Sequence, residues 1–298
     1  MYRQCSTAKL IPAPRQLATT ESRSPVRPLT TRDEKEVLKF LVERPLHTVA
    51  MAGFIRDNGI VSPLNRGTFY GCRNSRGKLE GVALIGHATL IETRTDRALQ
   101  AFAEVAKNCT TTHLVMGEEQ RIDEFWAYYS DGGQKLRHAG REVLFELQSP
   151  IEVREEDADL RRAILADLDL ILPVHARMAL DESGVDPLEK DAIGFRKRCV
   201  RRIEQGRTLV WIQDGKLVFK AEITSDTPEV IYLEGVWVSP EKRHQGYGLR
   251  CMSQLARTLL SRTRSICLLV NDENREAHQF YARAGYKPRG IYDTIFLQ

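Results

Sequence analysis

Apolar and polar positions along the chain fall into two successive series of helix-type and strand-type periods. In the first series Val37, Leu38, Phe40 and Leu41 make a helical stripe, and residues 48–57 read as a second helix. Residues 69–72 and 78–84 flank the polar turn Arg73-Asn74-Ser75-Arg76-Gly77, the pattern of a hairpin, and residues 88–92 continue as strand. A helix follows over 96–107 with Leu99, Phe102, Ala103 and Ala106 on one face, then a strand at 113–116, a helix at 122–129 and a strand at 143–147. Gln148-Ser149-Pro150 interrupts the pattern and reads as a linker.

The second series repeats that order. A strand at 160–164 precedes helices over 167–180 and 187–205, and a hairpin pairs 208–212 with 216–223 around Gln213-Asp214-Gly215. The two hairpins share a tripeptide, Gly77-Lys78-Leu79 and Gly215-Lys216-Leu217. This implies an α/β (α+β) chain of two tandem domains, 31–149 and 150–298. Length agrees, since 298 residues is about two ordinary domains.

Composition changes this picture little. Apolar residues at 42% and charged residues at 28% supply two soluble cores, and no apolar run approaches a membrane span. A net charge of +4 is too small to argue for nucleic acid or a membrane surface. The six cysteines form no CxxC pair, which reads as free thiols in the cytoplasm and neither a disulfide framework nor a zinc site. His175, His244 and His278 lack metal-ligand spacing, so no metal is expected. Residues 1–30 carry Arg3, Lys9, Arg15, Arg23 and Arg27 against Glu21 alone among four prolines, the composition of a flexible basic tail.

Candidate chemistry gathers after residue 230. Residues 230–238 read as a buried strand that Ser239-Pro240 ends, and Glu241-Lys242-Arg243-His244-Gln245-Gly246-Tyr247-Gly248 leads into a helix with Leu249, Met252, Leu255 and Leu259 at helical spacing. Strand, glycine loop and helix together suit a phosphate: the glycines permit a sharp turn and close approach, and loop and first-turn N–H groups face the anion. Arg243 adds a charge-assisted contact. The spacing is neither the dinucleotide fingerprint nor a P-loop, because Cys251 takes the third glycine's place and no Gly-Lys-Ser/Thr follows. Further on, a strand at 265–270 precedes Asn274, which suits the cap of a helix over 275–284 ended by Gly285. Ala277 and Tyr281 share one face of that helix and leave room beside the phenol, while Phe280 reads as a core aromatic.

These segments resemble the GNAT acetyltransferase superfamily. Val238-Ser-Pro-Glu-Lys-Arg243-His-Gln-Gly246-Tyr-Gly248 is similar to its acetyl-CoA motif, and Asn274-Arg-Glu-Ala277-His-Gln-Phe280-Tyr281-Ala-Arg-Ala-Gly285-Tyr286 to its second motif. The whole chain further resembles a bacterial tandem-GNAT family with a degenerate N-terminal half. The resemblance implies that each domain is a central mixed sheet flanked by helices, and that in the second domain its fourth and fifth strands splay to admit pantetheine, held by the backbone of Val236 and Val238. It implies a pyrophosphate cradle at Arg243, His244, Gln245, Gly246, Tyr247, Gly248 and Leu249, cofactor contacts at Asn274 and Ala277, and Tyr281 as general acid near the sulfur. An N–H at Val236 or Val238 would stabilise the oxyanion. Glu234 is the candidate base; a carboxylate is a weaker base than an amine, so it acts through water or after burial shifts both groups.

The expected activity is acetyl-CoA-dependent N-acetyl transfer to an amine of a small molecule or protein; the competing expectation is a non-catalytic acyl-CoA-binding regulator. In the first half, Glu92-Thr93-Arg94-Thr95-Asp96-Arg97 replaces the glycine loop, with Asp96 expected to cap the next helix where a phosphate would lie, so no coenzyme A site is expected there. Asp181, Glu182 and Asp186 read as capping acids around Pro187 or, as the resemblance implies, as acids bordering a cationic acceptor amine, and Arg196, Lys197, Arg198, Arg201, Arg202 and Arg207 read as a solvated basic face.

Overall fold

In the computed structural model, residues 25–152 and 159–298 are described, so most of the expected basic tail lies outside the described residues. The part within them is not loose. Val26–Pro28 forms strand β1, pairing antiparallel with β2 (Gly67–Arg73) from Val26 opposite Cys72 to Pro28 opposite Tyr70.

Two compact units are present. One comprises the described residues up to Phe40, Asn58–Gly140 and Tyr292–Gln298, the other Leu41–Asp57 and the described residues of Arg141–Ile291. These pieces do not follow the expected boundary at 149/150. Residues 41–57, from the first half of the chain, pack with the second unit, and the C-terminal residues 292–298 belong to the first.

In the first unit the chain runs from helix α1 (Glu34–Leu41) through β2, β3 (Leu79–Gly86), β4 (Ala88–Thr93), α3 (Asp96–Lys107), β5 (Leu114–Glu118) and α4 (Glu119–Tyr129). Its sheet has the order β1-β2-β3-β4-β5, and the end of the last strand, β12 (Lys287–Leu297), pairs antiparallel with β5 from Tyr292 to Phe296. The sequence pattern assigned no strand there. Ile295 and Leu297 join Phe102, Val115, Phe125 and Tyr129 in the core of this unit.

The second unit contains α2 (Pro45–Asn58), the end of β6 (Leu136–Leu147), β7 (Arg161–Arg162), α5 (Leu168–Ser183), α6 (Pro187–Glu204), β8 (Thr208–Gln213), β9 (Lys216–Asp226), β10 (Val230–Val238), α7 (Tyr247–Leu260), β11 (Ser265–Asn271) and α8 (Arg275–Arg283). Its sheet runs β7-β8-β9-β10-β11-β6, with only β10 and β11 parallel. One core lies under α7 and α8, with Leu233, Met252, Leu255, Ile266 and Leu268; a second lies under α5 and α6, with Ile171, Phe195, Ile203 and Val210. Helix α2 is fastened to this unit by Arg207, whose guanidinium donates to both Asp57 oxygens at 2.5 and 2.6 Å. Gly53 lets it close in, since a β-carbon there would stand 2.6 Å from Ser225 Cβ.

Each unit contains the same clasp. Arg27 donates to Asp33, which accepts the Thr30 N–H at 2.9 Å; Arg161 donates to Asp167, which accepts the Ile164 N–H at 2.8 Å. The repeated clasp adds to the repeated hairpin as a trace of duplication. None of the helices among the described residues is long and apolar enough to cross a membrane.

Candidate active site

Strand β10 sets the geometry. In a regular strand alternate residues share a face. Here Ile231 and Leu233 face the α7–α8 core, yet so do Val236 and Val238, while Trp237 packs with the α5–α6 core. A bulge makes that switch: Glu234 pairs with Glu222 and Trp237 with Lys220, so Gly235 and Val236 together oppose Ala221. Gly235 has φ 60°, a conformation that favours glycine, and a β-carbon there would lie 2.8 Å from Lys220 Nζ. Strand β10 pairs with β11 only over Val230–Tyr232, so the bulged end runs on without β11 beside it.

The loop after β10 ends at Gly246, which caps α7 in the left-handed region with φ 83° and provides no side-chain acceptor for the first-turn N–H groups. Those amides and the positive end of the helix dipole suit an anion. His244 also has a positive φ, 58°, and its Nε2 lies 3.4 Å from Glu276. Arg243 Nε donates to the Val238 carbonyl at 3.2 Å, and Gln245 Nε2 to the Glu241 carbonyl at 2.8 Å, so both fasten the loop. Around the first turn, Lys242 Nζ stands 5.0 Å from the Tyr247 ring and the Arg250 guanidinium 5.4 Å from Trp211. The two glycines turn out to have separate tasks. Gly246 supplies the turn; Gly248 supplies packing, because a β-carbon there would stand 3.0 Å from Phe280 and 3.1 Å from Val238. Leu249 packs half-buried on the α7–α8 core.

Asn274 caps α8, its side chain accepting the Ala277 N–H at 3.0 Å. Ala277 packs against the same core as Val236 and Val238. The aromatics exchange the places the sequence suggested: Tyr281 is buried, with Phe145, Phe280 and Tyr286 rings around it, and Phe280 is the half-buried one, against Gly248. Burial pushes the Tyr281 phenol well above its ordinary range, so it remains a neutral O–H.

Glu234, cross-strand from Glu222, is exposed on the α5–α6 side. The structure therefore places Glu234 and Tyr281 on opposite faces of the sheet. Beneath the bulge lies a group that the sequence pattern did not disclose. Lys220, fully buried, donates to the Gly235 carbonyl at 2.9 Å and reaches Glu222 Oε1 at 3.3 Å and His175 Nδ1 at 3.5 Å. Glu222 is also 3.0 Å from His175 Nδ1 and 3.5 Å from Arg202. Burial alone would raise the Glu222 carboxyl, but Lys220 first, then His175 and Arg202, hold it charged well below the usual carboxylate range. The available signal was Lys220-x-Glu222, two charges on one face of an otherwise apolar strand.

Several of the weaker signals resolve into local pairings; Glu182 does not, its carboxyl being pushed up by desolvation and by the Glu234 and Glu142 carboxylates. Asp186 caps α6, accepting the Leu188 N–H at 2.8 Å, and Asp181 pairs with Arg177. Of the basic series, Arg196, Arg198, Arg202 and Arg207 pair with Asp169, Asp191, Glu222 and Asp57. Among the described residues no three His, Cys, Asp or Glu side chains are placed to hold a metal.

The decisive comparison concerns this segment: residues 176–286 match the sequence model of the Acetyltransferase (GNAT) family. They form a GNAT-family domain. No curated protein matches the chain. Among solved structures, a GNAT-family acetyltransferase from Colwellia psychrerythraea is 14% identical with a TM-score of 0.59, covering 92% of this chain and 99% of its own. A Drosophila protein, also 14% identical, has a TM-score of 0.67 over 93% of this chain and 99% of its own. A tandem GNAT protein from the clavulanic acid biosynthesis pathway is 14% identical with a TM-score of 0.54, over 90% of this chain and 97% of its own. At such identities the likeness concerns fold: the chain has the fold of a tandem GNAT protein. Since it extends to an animal protein, it assigns no bacterial source. Every sequence-predicted site residue lies inside the matched GNAT segment, as do Lys220 and Glu222, and His175 immediately precedes it.

Proposed function

We propose that the GNAT domain is an N-acetyltransferase that moves an acetyl group from acetyl-CoA to an amine of a small molecule or protein. The observation that carries this reading is the junction of the bulged β10 with a glycine-headed α7 whose first turn lacks a side-chain cap. The residues present fit the cosubstrate. Arg243 to Leu249 offer first-turn amides and neighbouring cations to a pyrophosphate, and the bulged end of β10 offers Val236 and Val238 backbone to an extended arm. Asn274 and Ala277 line the adjoining turn of α8.

Acetyl-CoA supplies the acyl group as a thioester: the amine nitrogen bonds to the carbonyl carbon, the C–S bond breaks, and the sulfur leaves as thiolate. The Val236 N–H is the oxyanion donor. Tyr281 is a hydrogen-bond donor to the departing sulfur; its raised pKa makes full proton transfer uphill, so its contribution is chiefly to hold charge at that atom. Glu234, exposed, acts through water on the acceptor's ammonium proton.

The test is a screen of amine acceptors with free-thiol release as readout, beside calorimetry with acetyl-CoA. Acceptor-dependent thiol release supports the proposal. Tight acetyl-CoA binding with no turnover across primary amines would instead make the domain an acyl-CoA-binding regulator.

A further inference from the structure

A lysine inside an apolar strand is costly to desolvate unless its partners are arranged for it. Lys220 has such partners, and one of them is not a counter-ion: its ammonium donates at 2.9 Å to the carbonyl of Gly235, inside the bulge. All peptides among the described residues are trans, so the N–H of the Gly235–Val236 peptide points away from the carbonyl and hence away from Lys220. The positive φ of Gly235 turns this peptide out of the regular ladder, and its glycine leaves room for the ammonium. Arg202 shares the Glu222 carboxylate with Lys220, so two cations are set against one anion beneath the bulge. Glu234, across from Glu222, is exposed and screened by water.

A cation bound to an amide oxygen draws electron density through the peptide and makes its N–H a stronger donor. From this geometry we infer that Lys220 is a positioning residue for acyl transfer: it fixes the Gly235–Val236 peptide and strengthens the Val236 N–H toward the carbonyl oxygen of a bound acyl thioester. This rests on the reading that the thioester lies along the bulged end of β10. The lysine makes no contact with substrate and acts only through the peptide. Glu222, with His175 and Arg202, keeps the ammonium seated.

The experiment uses the full chain with acetyl-CoA labelled with carbon-13 at the thioester carbonyl. Infrared difference spectra give the carbonyl stretch of the bound molecule without any acceptor, and calorimetry gives its affinity. In wild type the stretch moves to lower wavenumber on binding. In Lys220→Met/Glu222→Gln, which removes both charges and leaves no buried ion behind, affinity stays within about threefold while less than about half of the shift survives. In Glu222→Gln alone the buried ammonium loses its counter-ion and gives up its proton, so the shift falls as in the double variant; this variant decides the matter if the double variant does not fold. An unshifted carbonyl in bound wild type, or a shift of wild-type size in either variant, overturns the inference. Absence of acetyl-CoA binding by wild type overturns the proposed function, and this inference with it, and is read from the calorimetry alone.

Discussion

Two strand-to-helix junctions, one in each unit, begin alike and end differently. Strand β4 pairs with β5 over Ala88–Leu90, and β10 pairs with β11 over Val230–Tyr232, so a short parallel contact and then divergence is common to both. Beyond it, β4 keeps a regular register with β3 up to Thr93, and Arg94 and Thr95 lead straight into α3. Strand β10 instead bulges at Gly235 and Val236 and passes through a loop to a glycine-headed helix. In the first unit Thr95 caps α3, accepting the Ala98 N–H at 3.3 Å, so Asp96 is the first helical residue and not the cap the sequence suggested; its carboxylate accepts from the Tyr128 hydroxyl at 2.9 Å. Arg94 pairs with the buried Glu92 and lies 4.3 Å from the Phe40 ring. Divergence of the strands is thus a property of the fold. The bulge and the open helix end are what one unit has added, or the other has lost, and chemistry is to be sought there.

The largest effect expected from breaking that contrast is at Tyr281. Tyr281→Phe keeps the ring and its contacts with Phe145 and Tyr286 and deletes only the hydroxyl. The single-turnover rate should fall about 100-fold, the lower end for a donor to a leaving group, because a thiolate leaves readily. Affinity for acetyl-CoA should change by no more than about 1 kcal/mol, one hydrogen bond. An unchanged chemical rate would return Tyr281 to the core. Removing the hydroxyl of Tyr129, which accepts the Gln134 N–H at 3.2 Å in the first unit, should leave the rate alone.

Next comes the helix end. Gly246→Glu puts bulk and negative charge at the head of α7 and forces a non-glycine residue to φ 83°. Acetyl-CoA affinity should fall at least about tenfold, about 1.4 kcal/mol. The wild-type chain should take up one acetyl-CoA, and no second saturable site should remain in the variant. A residual site of wild-type affinity would show that the capped junction of the first unit binds after all.

How far this could be read from the sequence depends on the range of each interaction. The bounds of β10, the loop from Ser239 to Gly246 and the cap at Asn274 are local events, each written in adjacent residues, and each appears where the pattern placed it. The bulge is not local in the same way: Gly235 reads as any glycine in a strand until Lys220 is seen to need its carbonyl. The exchange of α2 and the end of β12 between units was invisible for a different reason. A helix or strand has the same periodicity whichever core it packs on, so residues 41–57 and 292–298 could not disclose their partners, and a cut at 149/150 would sever both units. The Arg27–Asp33 and Arg161–Asp167 clasps lay in plain view as equal spacings, but a pair of charges six apart is common enough to pass unnoticed.

The smallest expected effect sharpens the comparison from the other side. If the first unit's junction is structural, its cap should matter for stability and for nothing else. Thr95→Ala removes the acceptor for the Ala98 N–H and leaves the backbone free to keep its helix. Loss of such a cap typically costs about 1 kcal/mol. Because the chain has two units, a single melting midpoint would blur that cost, and local hydrogen exchange is the better measure. The Ala98 amide and its neighbours in the first turn of α3 should exchange faster, by about fivefold for 1 kcal/mol, while α7 amides keep their rates. Acetyl-CoA affinity and acyl transfer should be unchanged. A fall in either would mean that the first unit contributes to the site through this helix, and the division of labour between the two junctions would have to be abandoned.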